Sequence, residues 1–178
     1  MTEVINLDKL LAKFGQLPST IQIKAFQRAM RLSTLKVQGT ARNKAPSNNG
    51  ALAQSINVQT IPILNGIRGK VYTRLSYAGF VELGTGPKGE ANHGGISPHV
   101  FPSYTSVPWY IHESQIDGAV AEKYHFSKFT TNDGNTFYKS YGQAAQPFLY
   151  PAMKEEQKNV RKIFATEIMN AISEVASK

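Results

Sequence analysis

Between Gly84 and Gly89 the chain reads GTGPKG, a literal match to the G-x-G-x-x-G pattern whose backbone N–H groups cradle dinucleotide phosphates. That chemistry requires a strand before the first glycine, a helix opening inside the motif, and an acidic residue about twenty positions further on. Pro87 stands third after Gly84, the following EANHGGISPHVFP is unsuited to opening a helix, and no acidic residue lies between Glu90 and Glu113. Lys88 is followed by Gly89, not by Ser or Thr, so the loop is not of Walker type either. The glycines are read instead as a helix cap and a chain turn, and no cofactor is expected.

Four histidines, His93, His99, His112 and His125, invite a metal. None is spaced to put two imidazoles on one helical face, and the chain has no cysteine to assist, so solvated loop histidines are expected and no metal. There is no G-x-S-x-G elbow and no H-E-x-x-H. Glu82 stands alone at the end of a long acid-free stretch, and a lone carboxylate cannot divide acid and base roles with a partner. It is expected to pair with an arginine or accept from backbone donors. No catalytic residue is assigned, and the protein is not expected to be an enzyme.

Charge patterning says more. The 178 residues carry 20 Lys plus Arg against 12 Asp plus Glu, a formal net charge of +8. From Lys9 through Val81 no acidic residue occurs, while Lys9, Lys13, Lys24, Arg28, Arg31, Lys36, Arg42, Lys44, Arg68, Lys70 and Arg74 all fall there. Such polarisation favours an acidic partner or a polyanion such as nucleic acid; a merely solvated basic face is the alternative. No apolar run is long enough to span a bilayer, so no membrane partner is expected.

The elements that must carry these residues follow from periodicity. A short amphipathic helix is expected over 6–14, with Leu7, Leu10, Leu11 and Phe14 at helical spacing. A long helix is expected over 19–43, with Ser19 as N-cap. Its core face would be Ile23, Phe26, Met30, Ser33, Val37 and Ala41, and its opposite face a basic stripe of Lys24, Arg28, Arg31 and Arg42. Gly39 marks a weak point, a kink or a close contact. A hairpin is expected over 55–75, turning at Asn65-Gly66, and a short helix over 77–83, with Ser76 as N-cap and Gly84 as its end, a strand being the alternative there. Residues 87–142 read as an aromatic-rich inserted arm with a second hairpin at its Asp-Gly turn, and 152–177 as a C-terminal helix with the stripe Val160, Phe164, Ile168, Ala171 and Val175. All of this fits one domain spanning 1–178.

Three segments, in order, carry a resemblance: KAPSNNGALAQSI at 44–56, YAGFVELGTG at 77–86 and QPFLYPA at 146–152. Together they resemble the head–tail joining proteins of long-tailed bacteriophages, also called neck, minor tail or tail-completion proteins. The resemblance implies an α+β fold, with a small antiparallel sheet packed by one long helix and a C-terminal helix. It also implies a non-enzymatic virion protein that forms a ring in the neck, joins the DNA-filled head to the tail and leaves an axial channel for the genome. A homo-oligomeric ring of six or twelve copies, neighbouring head-closure and tail-terminator or tail-tube rings, and non-specific contact with genome DNA follow as partners. The site would be the virion neck, reached from the host cytoplasm during assembly. Structural roles fall on Pro46, Gly50, Leu52, Tyr77, Glu82, Gly84, Thr85, Pro147, Phe148 and Pro151, with Ala51, Leu52 and Ile56 beginning a core strand. The basic stripe would face DNA or an acidic neighbour. A small basic nucleic-acid-binding protein is the alternative reading.

Overall fold

The computed structural model describes residues 7–46, 50–64 and 66–177, a mixed fold of helices and two small antiparallel sheets. The chain divides into two compact units. One is built from the residues up to Leu75 together with Phe148 onward, and the other from Ser76–Pro147.

In the first unit, α2 (Ser19–Lys44) and α7 (Leu149–Ala176) pack antiparallel, Arg28 meeting Glu167 and Thr40 meeting Glu156. Small side chains on α2, Ala25, Ala29, Ser33 and Ala41, are buried, which lets helix backbones approach closely. On α7, Ile168 and Ala171 are buried, and so are two carboxylates, Glu156 and Glu167. The helix α1 (Leu7–Gly15) closes one end: its Leu10 and Phe14 share a core with Ala25, Ile168 and Ala171. Phe14 meets Phe26 edge-on at 5.1 Å.

The short helix α3 (Ala51–Ser55) opens at Gly50, whose left-handed φ of 75° suits glycine, and leads into strands β1 (Asn57–Ile63) and β2 (Gly66–Tyr72). The hairpin packs one face on α2. On that face half-buried Val58 opposes Val71 and Thr60 opposes Gly69, while Ile61 and Tyr72 are half-buried on the other. At Gly69 a Cβ would stand 2.6 Å from Met30 Sδ and collide with Thr34 Cγ2, so only glycine lets the strand lie this close.

The second unit begins with α4 (Ala78–Leu83) and α5 (Gly86–Ala91). Strand β3 (Trp109–His112), a 3-10 turn at Glu113–Gln115, α6 (Gly118–Lys123), β4 (Ser127–Thr130) and β5 (Thr136–Ser140) follow. The sheet order is β3-β5-β4, and β4–β5 is a hairpin whose Gly134 has φ 79°.

Several expectations are corrected. Pro18, not Ser19, is the N-cap of α2, and Tyr77, not Ser76, that of α4. Ala51 and Leu52 lie in a helix, and the strand starts only at Asn57. A helix does open inside the glycine motif, at Gly86, with Pro87 in its first turn where the missing N–H costs nothing. The C-terminal helix begins at Leu149, three residues early, with Pro151 in its first turn. Ile23 is 52% exposed and Phe26 36%, so the core face of α2 does not run its full length. The hairpin explains this: Ile56 lies beside Gln38 and Gly69 beside Met30 and Thr34, so the sheet covers mainly the C-terminal half of α2. Gly39 causes neither kink nor close contact; α2 is continuous through it and a Cβ there would meet nothing within 4 Å. Asn65 and residues 1–6 lie outside the described residues.

Candidate functional site

The glycine motif is built from backbone against backbone. Gly84 ends α4 with φ 78°, and Thr85 is extended and pairs antiparallel with Gln143. Thr85 N donates to the Gln143 carbonyl at 2.9 Å and Gln143 N donates back to the Thr85 carbonyl at 3.1 Å. Gln143 Nε2 reaches the Phe80 carbonyl at 2.9 Å, and Gln146 N the Val81 carbonyl at 2.8 Å. A Cβ on Gly84 would stand 2.8 Å from Ala145 N, and one on Gly86 would stand 2.8 Å from Trp109 Cζ3. One on Gly142 would strike the Thr85 carbonyl.

A phosphate cradle needs N–H groups facing an open cleft. Here those of Thr85, Lys88 and Gly89 are committed to the carbonyls of Gln143, Tyr141 and Thr85. The space above the glycines is filled by the chain between Tyr141 and Ala145 and by Trp109. The motif binds its own polypeptide. The neighbouring Tyr104 hydroxyl donates to the Leu83 carbonyl at 2.7 Å; burial raises its pKa above the ordinary value, and Glu90 adds to the rise.

The histidines do not converge. His93 stacks on Tyr104 at 5.7 Å with its Nδ1 3.2 Å from the Gly89 carbonyl. His112 caps the 3-10 turn, its Nδ1 accepting from Ser114 N at 3.2 Å. His99 is exposed, and His125 follows α6 with φ 53°. Among the described residues no group of three His, Cys, Asp or Glu side chains is placed to hold a metal.

The basic stripe of α2 is divided by its contacts. Lys24, Arg28, Arg31 and Arg42 are all exposed residues of one helix. Arg28 Nε pairs with Glu167 Oε2 at 3.1 Å, and Arg42 Nη2 donates to the Ile56 carbonyl at 2.8 Å. Further along, Lys44 pairs with Glu155 at 2.7 Å and Lys36 approaches Glu156 at 3.8 Å. The acid that the N-terminal stretch lacks is supplied by α7 of the same chain. Sequence reasoning missed these carboxylates as partners because more than a hundred residues separate Thr40, which also donates to Glu156, from that glutamate.

Buried Glu156 accepts from Thr40 Oγ1 at 2.5 Å and from Asn159 Nδ2 at 2.6 Å. The Thr40 hydroxyl, then Asn159 and Lys36, hold its pKa below the ordinary glutamate value against the opposing effect of burial.

The remaining motif residues belong to elements of both units. Pro46 follows the end of α2, Leu52 is buried in α3, and Phe148, the N-cap of α7, is fully buried. Tyr77 is exposed, while Glu82, on α4, and Pro147 are half-buried.

Against known proteins, residues 8–84 match the model of a family described as "Bacteriophage HK97-gp10, putative tail-component". The match takes in the whole of the 44–56 segment and the 77–86 segment up to Gly84, and it is consistent with the head–tail joining or minor tail resemblance. No curated protein and no solved structure matches the chain.

Proposed function

We propose that this protein is a structural tail component of a bacteriophage that works at the head–tail junction, forming a ring with an axial channel for the genome. The observation that carries the reading is the family match over residues 8–84. The geometry is in keeping with it: Gly84 ends α4, Thr85 pairs with Gln143, and Phe148 is the N-cap of α7. In this reading the two compact units act as one subunit without catalysis or cofactor. Copies of the chain contact one another and the adjoining head-closure and tail rings. Lys24 and Arg31 on α2 present charge to an acidic neighbour or to the passing DNA, and the protein resides in the virion neck after assembly in the host cytoplasm. Nothing in the geometry favours the alternative of a small basic nucleic-acid-binding protein.

The test is electron microscopy of lysates from a phage or prophage carrying an early stop codon in this gene. Full heads beside finished, unattached tails are expected. Intact infectious particles would overturn the proposal.

A further inference from the structure

The hairpin β1–β2 has a second face. Strand pairing sets Gln59 opposite Lys70 and Ile61 opposite Arg68, away from the residues that pack on α2. Tyr72 follows on the same face, with Lys70 Nζ 4.9 Å and Arg74 Cζ 5.9 Å from its ring centre. Arg68, Lys70 and Arg74 are exposed. The carboxylates of α7 that reach a cation are spent on α2, and among the described residues no ion pair involves the hairpin cations. The result is a sheet face with three exposed cations, two of them, Lys70 and Arg74, set against one aromatic ring.

The same chain carries the complement. Between Gly89 and Glu122 the charged residues are Glu90, Glu113, Asp117 and Glu122, with no Lys or Arg among them. All four are exposed. Glu113 opens the 3-10 turn after β3, and Asp117 caps α6 by accepting from Ala119 N at 2.8 Å, so these carboxylates sit on ordered backbone.

We propose that the outer hairpin face (Arg68, Lys70, Tyr72, Arg74) is the surface on which a second copy of this chain docks, through its acidic segment Glu113–Glu122. The two patches differ, so the contact is heterologous, and repetition of such a contact closes into a ring when the rotation permits. Opposite charge steers the encounter and fixes its register, and it makes the association sensitive to salt. The inference rests on the ring-forming reading above and adds the surfaces that would meet.

The test uses the purified full-length chain in sedimentation at low and high salt. The wild type is expected to self-associate at low salt. The pair Arg68→Glu with Lys70→Glu and the pair Glu113→Lys with Glu122→Lys are each expected to weaken self-association by at least about tenfold. Mixing the two variants is expected to restore it, which also shows that both fold. Variants that assemble like the wild type, or a mixture that fails to assemble, overturn the proposal. So does unchanged assembly accompanied by lost affinity for double-stranded DNA, which would assign the face to a polyanion. A wild type that stays monomeric overturns this docking contact, while the stop-codon lysate still decides the neck reading separately.

Discussion

Arg42 donates through Nη2 to the carbonyl of Ile56 at 2.8 Å, tying the end of the long helix to the residue from which the hairpin departs. Gln38 Nε2 shares the same acceptor at 2.6 Å, and Ile56 is fully buried. Arg42→Ala and Gln38→Ala are each expected to cost about 1 kcal/mol. The double substitution should cost more than their sum, because only then is a buried carbonyl left without a donor. Urea unfolding of the four chains measures this, and strict additivity would show that the two donors are not alternatives.

The cations of α2 should separate by role. Arg28→Glu places like charge against Glu167 and is expected to lower stability. Arg31→Glu, on an exposed side chain, is expected to leave the unfolding midpoint unchanged yet reduce infectivity through assembly or genome passage. Normal titres for a phage carrying Lys24→Glu with Arg31→Glu would remove the stripe from the mechanism.

Ser33 is buried in α2, and its hydroxyl oxygen has no hydrogen-bond partner among the described residues. Replacing an unsatisfied buried hydroxyl by a methyl group removes a desolvation cost without opening a large cavity. Ser33→Ala is therefore expected to stabilise the fold by about 1 kcal/mol, read as a higher urea midpoint at constant slope.

Glu156 makes stability depend on pH with a definite sign. Its folded pKa is lowered by Thr40, Asn159 and Lys36, so its contribution is complete above the unfolded value and is lost as pH falls through the folded one. Glu156→Gln is expected to flatten the loss of stability between about pH 5 and pH 3. Urea midpoints across that range, for wild type and variant, give the comparison. Parallel curves would deny the carboxylate this role.

Two glycines should respond oppositely to alanine. Gly142 has φ 80° and a Cβ there meets the Thr85 carbonyl, so Gly142→Ala is expected to destabilise the unit by at least about 1 kcal/mol. Gly39 lies inside a regular helix with open space around it, so Gly39→Ala should gain up to about 1 kcal/mol. Thermal unfolding followed by circular dichroism resolves both.

The fold class was legible in the sequence because helical spacing and strand alternation act locally. Phe14, Ile168 and Ala171 lie where a period of 3.6 puts them, on a buried face. Failures came where burial depends on what another segment covers. Ile23 and Phe26 share the face of Met30, yet the hairpin is placed mainly over the later turns of α2. The run Ala51–Ser55 is too short for periodicity to separate helix from strand. As for the glycine motif, its own six residues say nothing of Gln143, the partner that occupies the would-be cradle. The ion pairs of Arg28 and Lys44 were hidden for the same reason, since charge patterning shows where cations are and not which distant carboxylate the fold brings to them.

The discontinuous make-up of the first unit has a consequence for biosynthesis. A ribosome delivers α1, α2 and the hairpin first, then all of Ser76–Pro147, and only afterwards the α7 carboxylates that pair with Arg28, Lys36 and Lys44. Throughout that interval the nascent chain exposes a cationic helix without its counter-charges, with Ala25 and Ala29 still lacking the helix that covers them. Unit two, contiguous in sequence, can mature in the meantime. Completion of the first unit must wait for a long-range closure, which is the slow kind of folding step and the one during which a chaperone or an early neighbour has time to act.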